Sequence, residues 1–151
     1  WCFMKIAVGC DHGGFVLKEN VINCLKARGI EVVDCGTNST DSVDYPVFGE
    51  KVARLVAKGE CDKGIVMCGT GIGISIAANK VKGIRCALCH DEYTAKMTAM
   101  HNNSNILAMG GRVVNPEMAV RILESWLDTP FEGGRHISRV NMFSEIENRE
   151  D

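Results

Sequence analysis

Gly64-Ile65-Val66-Met67-Cys68-Gly69-Thr70-Gly71-Ile72-Gly73 joins a short apolar run to a glycine-rich turn. Four apolar residues ending at glycines fit a strand buried on both faces, and the helical period that resumes from Ile72 to about Lys80 fits a strand–turn–helix unit. The same alternation runs outward in both directions. Upstream, residues 5–10 (KIAVGC) read as a strand, and 15–28 carry apolar residues at 16, 17, 21, 22 and 25 before a stop at Gly29. A second strand at 31–35 leads through the loop 36–40 to a helix from Pro46 to about Ala57, closed by Gly59. Downstream come a strand at 85–89, a helix from Asp91 to about Met100 and a strand at 105–109. A helix from about Pro116 to Leu127 and a polar helix from about 135 end the series. Five strands interleaved with helices predict a three-layer, Rossmann-like α/β fold with one five-stranded parallel sheet and helices on both faces.

The 151 residues fit one domain with a real core: 46% are hydrophobic and 24% charged. A net charge of −2 gives no general field for nucleic acid or anionic membranes, so an anionic ligand needs a local cluster of basic groups. No apolar run reaches the roughly 18 residues of a membrane span, and no secretory signal is seen. Trp1-Cys2-Phe3 precede Met4-Lys5-Ile6, which reads as a natural start, and stand outside the fold argument. Eight cysteines without an export signal fit small buried hydrophobes in a reducing cytosol better than a disulfide framework.

In parallel sheets ligands bind beyond the carboxyl ends of the strands. The residues expected there are Cys10 to Gly14, Asp44-Tyr45, Cys68 to Gly73, His90-Asp91 and Gly110-Gly111-Arg112. The segment 68–73 is the richest. Its glycines admit a ligand close to the backbone, and a following helix offers free N–H groups and the positive end of its dipole to a phosphate or an oxyanion. A thiol set at such a place gains thiolate character. The plain alternative is a strand-to-helix turn with a buried cysteine. Its glycine spacing is neither the dinucleotide fingerprint nor a Walker loop. Asp11 and His12 project at the same edge, or else Asp11 merely caps a helix beside an exposed His12. Arg135 and Arg139, four apart, suit either a phosphate clamp or a solvated helix face. Arg112 suits a third phosphate contact or a loop charge. Cys86-Ala-Leu-Cys89-His90 has the form of a haem or redox motif, but on a strand residues i and i+3 face opposite sides, which rejects it. The histidines and cysteines show no zinc spacing, so neither metal nor cofactor is expected. His101-Asn102 fall before the fifth strand, at the wrong end of the sheet.

Together GCDHGG (9–14), DYP (44–46), CGTGIGISIAANK (68–80), HNNSN (101–105), GGRVV (110–114) and EGGRHISR (132–139) resemble ribose-5-phosphate isomerase B, of the family that also holds the galactose-6-phosphate isomerase subunits. The match runs from Met4 to about Val140. The resemblance implies a cytoplasmic, cofactor-free enzyme of pentose phosphate metabolism that interconverts ribose 5-phosphate and ribulose 5-phosphate. In it Cys68 is the base that shuttles a proton between C1 and C2, and Thr70 and His101 help open the furanose ring. Asp11, Gly69, Gly73 and Asn102 would bind hydroxyls and the enediolate, with Tyr45 and Gly71 also lining the substrate. His12, Arg135 and Arg139 would hold the phosphate, joined by Arg112. Some relatives carry a glutamate base six positions after the cysteine position; here that residue is Ile74, which resembles the cysteine branch.

The resemblance further implies a homodimer whose partner chain supplies His101 and Asn102 to a shared site; dimers of some relatives pair into tetramers. Two other readings stay open: an isomerase of a six-carbon sugar phosphate such as allose or galactose 6-phosphate, and a non-catalytic sugar-phosphate-binding module. The charged segment 145–151 reads as a frayed end or a subunit contact.

Overall fold

The computed structural model describes residues 4–149; residues 1–3 and the last two of the charged tail lie outside the described residues. Five parallel strands, β1 (Lys5–Cys10), β2 (Glu31–Asp34), β3 (Lys63–Cys68), β4 (Cys86–Leu88) and β5 (Ile106–Gly110), form one sheet in the order β2-β1-β3-β5-β4. Between and after them run α1 (Phe15–Ala27), α2 (Tyr45–Ala57), α3 (Ile72–Asn79), α4 (Glu92–Met97), α5 (Pro116–Asp128) and α6 (His136–Glu147). The register is continuous across the centre, with Cys10 opposite Met67 and Cys68 opposite Gly110.

Side chains alternate along each strand, and the two faces differ in size. Ile6, Val8, Ile65, Met67, Leu107 and Met109 point to one face, where α1, α4 and α5 pack with Leu17, Ala95, Ile122 and Trp126. Ala7, Val66, Ile106 and Ala108 point to the other, under α2 and α3. Small residues on this second face let the helices come close: a Cβ at Gly64 would lie 2.5 Å from Val52 Cγ1. Cys89 packs in the first core and Cys86 against the second, so the two thiols face apart as strand geometry requires. All seven described cysteines are free.

Two boundaries that bear on the site differ from the sequence expectation. α4 passes into a π-helical turn at Thr98–Asn102, so His101 and Asn102 are helical rather than loop residues. Asn103 then takes φ +47° and closes that turn, a conformation asparagine tolerates better than most residues. Arg135 is the N-cap of α6 instead of a residue inside it. The pair Arg135 and Arg139 therefore spans the cap and the first turn, and both are exposed. Among the described residues no helix is long and apolar enough to cross a membrane.

Candidate active site

The carboxyl ends of β1, β3 and β5 meet because their following loops are stripped of side chains. A Cβ at Gly13 would sit 2.8 Å from Gly69 N, and one at Gly111 2.2 Å from Gly13 O, so only glycine lets these turns touch. Backbone bonds lock the contact: Asp11 N–H donates to Met67 O, Gly111 N–H to Cys68 O and Arg112 N–H to Gly69 O.

Cys68 ends β3 at 5% exposure. Its Sγ accepts the Gly71 N–H at 3.1 Å, because Gly71, at φ +81°, turns the chain back to start α3. The sulfur thus lies at a helix amino terminus with a backbone donor aimed at it. Its neighbours in sequence type are different. Burial pushes the Cys10 and Cys89 thiols up to about 11 and raises those of Cys24, Cys35, Cys61 and Cys86.

Around Cys68 the same edge gathers Asp11, His12, Tyr45, Gly69, Thr70, Gly71, Gly73 and Arg112. Asp11 is buried, and its Oδ1 accepts the N–H groups of Gly13 and Gly14 at 2.8 and 3.1 Å; it shapes the turn before α1, whose N-cap is Gly14. His12 Nδ1 accepts the Val43 N–H at 3.1 Å, which leaves Nε2 as the ring's free donor. The Tyr45 ring lies where a Cβ at Gly73 would stand, 2.5 Å away, and the Arg112 guanidinium covers Gly69, 3.0 Å from a Cβ there. Thr70 is exposed, its Oγ1 accepting from Ile72 N–H at 3.2 Å. Lys18, almost fully buried, anchors the loop after β2 to this edge through Asp34, Thr37 O and Asn38. Ile74 is fully buried in the core beneath α3. His90 is exposed beside Asp91, which caps α4 through the Thr94 N–H.

His101, Asn102, Arg135 and Arg139 are not brought to this edge. The π turn precedes the amino end of β5, whereas Cys68 lies opposite the carboxyl end of that strand. Five residues of strand span roughly 16 Å. At this second locus His101 stacks on His136, ring centroids 4.3 Å apart, and lies 3.9 Å from Glu132 Oε2. Burial and the His101 ring hold His136 below the ordinary imidazole range. Glu132 and His136 had no signal in spacing, since what joins them to His101 is the fold: Glu132 N–H donates to Met100 O at 3.0 Å.

The sequence model of the ribose/galactose isomerases matches residues 6–143. The chain belongs to the ribose/galactose isomerase family. It is 51% identical over 145 residues to ribose-5-phosphate isomerase B of Escherichia coli, covering 96% of this chain and 97% of that protein. Among solved structures it superposes on Clostridium thermocellum ribose-5-phosphate isomerase B with a TM-score of 0.94 at 57% identity, covering 95% and 97% of the two chains. It is also 38% identical to a D-erythrulose-4-phosphate isomerase of Pectobacterium atrosepticum, over 97% of each chain. By sequence and structure the chain is thus an isomerase of the ribose-5-phosphate isomerase B kind, and relatives in this family differ in the sugar phosphate their names carry.

Proposed function

We propose that this enzyme interconverts D-ribose 5-phosphate and D-ribulose 5-phosphate by proton transfer through an enediolate, with Cys68 as the base. The observation that carries the reading is the Cys68 Sγ at the amino end of α3, accepting the Gly71 N–H at 3.1 Å beside Asp11, Thr70 and Arg112. Thr70 and His101 assist opening of the furanose. Cys68 then takes the proton from C2 of the open aldehyde and returns it to C1, while the hydroxyl proton of O2 passes to O1. The charge that develops on oxygen meets the amino terminus of α3, where oriented N–H groups stabilise it without reorganising. Asp11, Tyr45, Gly69, Gly71, Gly73 and Asn102 line the sugar, and His12, Arg112, Arg135 and Arg139 hold the phosphate, the guanidiniums by paired hydrogen bonds. Moving a carbonyl between adjacent carbons needs a base and an oxyanion site and no redox cofactor.

The working unit is a homodimer in a cytosolic setting, with His101 and Asn102, and with them Arg135 and Arg139 of the same locus, supplied from across the subunit boundary. Two features support this. One chain cannot unite its own two loci, and α6 exposes Ile137, Met142, Phe143 and Ile146, an apolar set without cover in a single chain. The name of the erythrulose phosphate relative favours a second reading, another sugar phosphate with the same chemistry. Assays with ribose 5-phosphate, allose 6-phosphate and erythrulose 4-phosphate separate the two. Ribose 5-phosphate should have the highest kcat/KM; a clear preference for either other sugar would overturn the substrate assignment. Cys68→Ala should abolish turnover while phosphate-dependent binding survives, and EDTA should leave activity intact.

A further inference from the structure

Away from the glycine-lined edge, one ring nitrogen each of His101 and His136 and a carboxylate oxygen of Glu132 lie within 4.8 Å of one another. His136 is 4% exposed, and its Nε2 is the one buried side-chain nitrogen or oxygen without a hydrogen-bond partner among the described residues. A buried polar atom left unpaired is costly and calls for an explanation, and the same imidazole lies beside two further ligand groups. We propose that His101, Glu132 and His136 bind a divalent transition metal of the zinc class, one ion per chain.

The donor set fits that class. Two imidazoles and one carboxylate suit Zn²⁺, Co²⁺ or Ni²⁺, whereas Mg²⁺ and Ca²⁺ prefer all-oxygen shells. Bonds of about 2.0–2.2 Å put the donors of a tetrahedral site roughly 3.4 Å apart. The 3.9 Å between His101 Nε2 and Glu132 Oε2 is near this value. The rings now stack at 17°, and parallel rings cannot share an ion in both planes, so one must turn. His101 and Glu132 have that freedom, with side chains 34% and 48% exposed, while buried His136 is the fixed member. The backbone holds the three together through Glu132 N–H to Met100 O and His136 N–H to Gly133 O. Arg135 and Arg139 place positive charge nearby, which makes Glu132, the single anionic ligand, decisive for affinity. Three protein ligands leave a fourth position open to water or a substrate oxygen.

Occupancy withdraws His101 from ring opening, so the metal inhibits; this consequence rests on the role proposed above for His101, and the site itself does not. The full-length enzyme is titrated calorimetrically with Zn²⁺ and with Mg²⁺, and Co²⁺ binding is read by absorption. One Zn²⁺ per chain, no response to Mg²⁺ and a Co²⁺ spectrum without thiolate charge transfer are expected. Glu132→Gln and His136→Gln, checked for native circular dichroism, should each weaken binding by about tenfold or more, and activity should fall over the same Zn²⁺ range. Absence of Zn²⁺ binding, unchanged binding in both variants, or a thiolate band would overturn the site. Zinc bound as described without loss of activity would uphold the site and overturn the role given to His101.

Discussion

Cys68 differs from the other described cysteines in what reaches its sulfur. Its Sγ takes a backbone N–H from Gly71, and it borders the exposed Thr70, while burial holds Cys10 and Cys89 at about 11 and raises Cys24, where Glu124 adds repulsion. Burial thus disfavours the thiolate at these three positions, and the thiolate is the species that alkylates. Iodoacetamide should therefore inactivate the enzyme by labelling Cys68 first, with ribose 5-phosphate slowing the loss. Peptide mapping checks this, and early labelling of Cys24 with full activity retained would contradict it. The position of Cys68 was legible because a strand end, a glycine turn and a helix start are all local signals. The neighbours Asp11 and Arg112 followed from topology. Glu132 and His136 did not, since they meet His101 only through a loop whose path no periodicity encodes.

At the scale of elements, the strands were readable because short apolar runs bounded by glycines and loops are what a sheet buried on both faces needs. Helix ends were readable where capping chemistry marks them. Asn115 accepts the Met118 N–H at 2.8 Å and Pro116 occupies the first turn, so α5 starts where the sequence placed it. Asn115→Ala should lower stability by about 1 kcal/mol with kcat unchanged, since α5 packs on the face away from Cys68; urea denaturation measures it. The π turn was not readable, because the shift from an α to a π turn at Thr98–Asn102 leaves the apolar pattern of α4 unbroken. The buried Lys18 was hidden for a related reason: a lysine in a helical pattern reads as solvated unless its acceptors, Asp34, Thr37 O and Asn38, are known.

For the whole molecule, the sheet separates the residues that the proposed mechanism brings together. Cys68 stands at one edge and His101 at the other, and α6 leaves an apolar side open. The proposed homodimer would lay a second copy across the first, and a two-fold arrangement would make each copy donor and acceptor of the same residues. Ile146 is 59% exposed in the single chain, so Ile146→Asp should leave the fold intact, yield monomers in light scattering and remove activity. An active monomer would refute the shared site. The most direct test pairs two inactive enzymes. Cys68→Ala and His101→Ala chains are co-expressed and the mixture assayed with ribose 5-phosphate. If each site takes its cysteine from one chain and its histidine from the other, random pairing makes half the dimers mixed and restores one site in each. Activity should then return to about a quarter of wild type. A mixture as inactive as either parent would contradict the account.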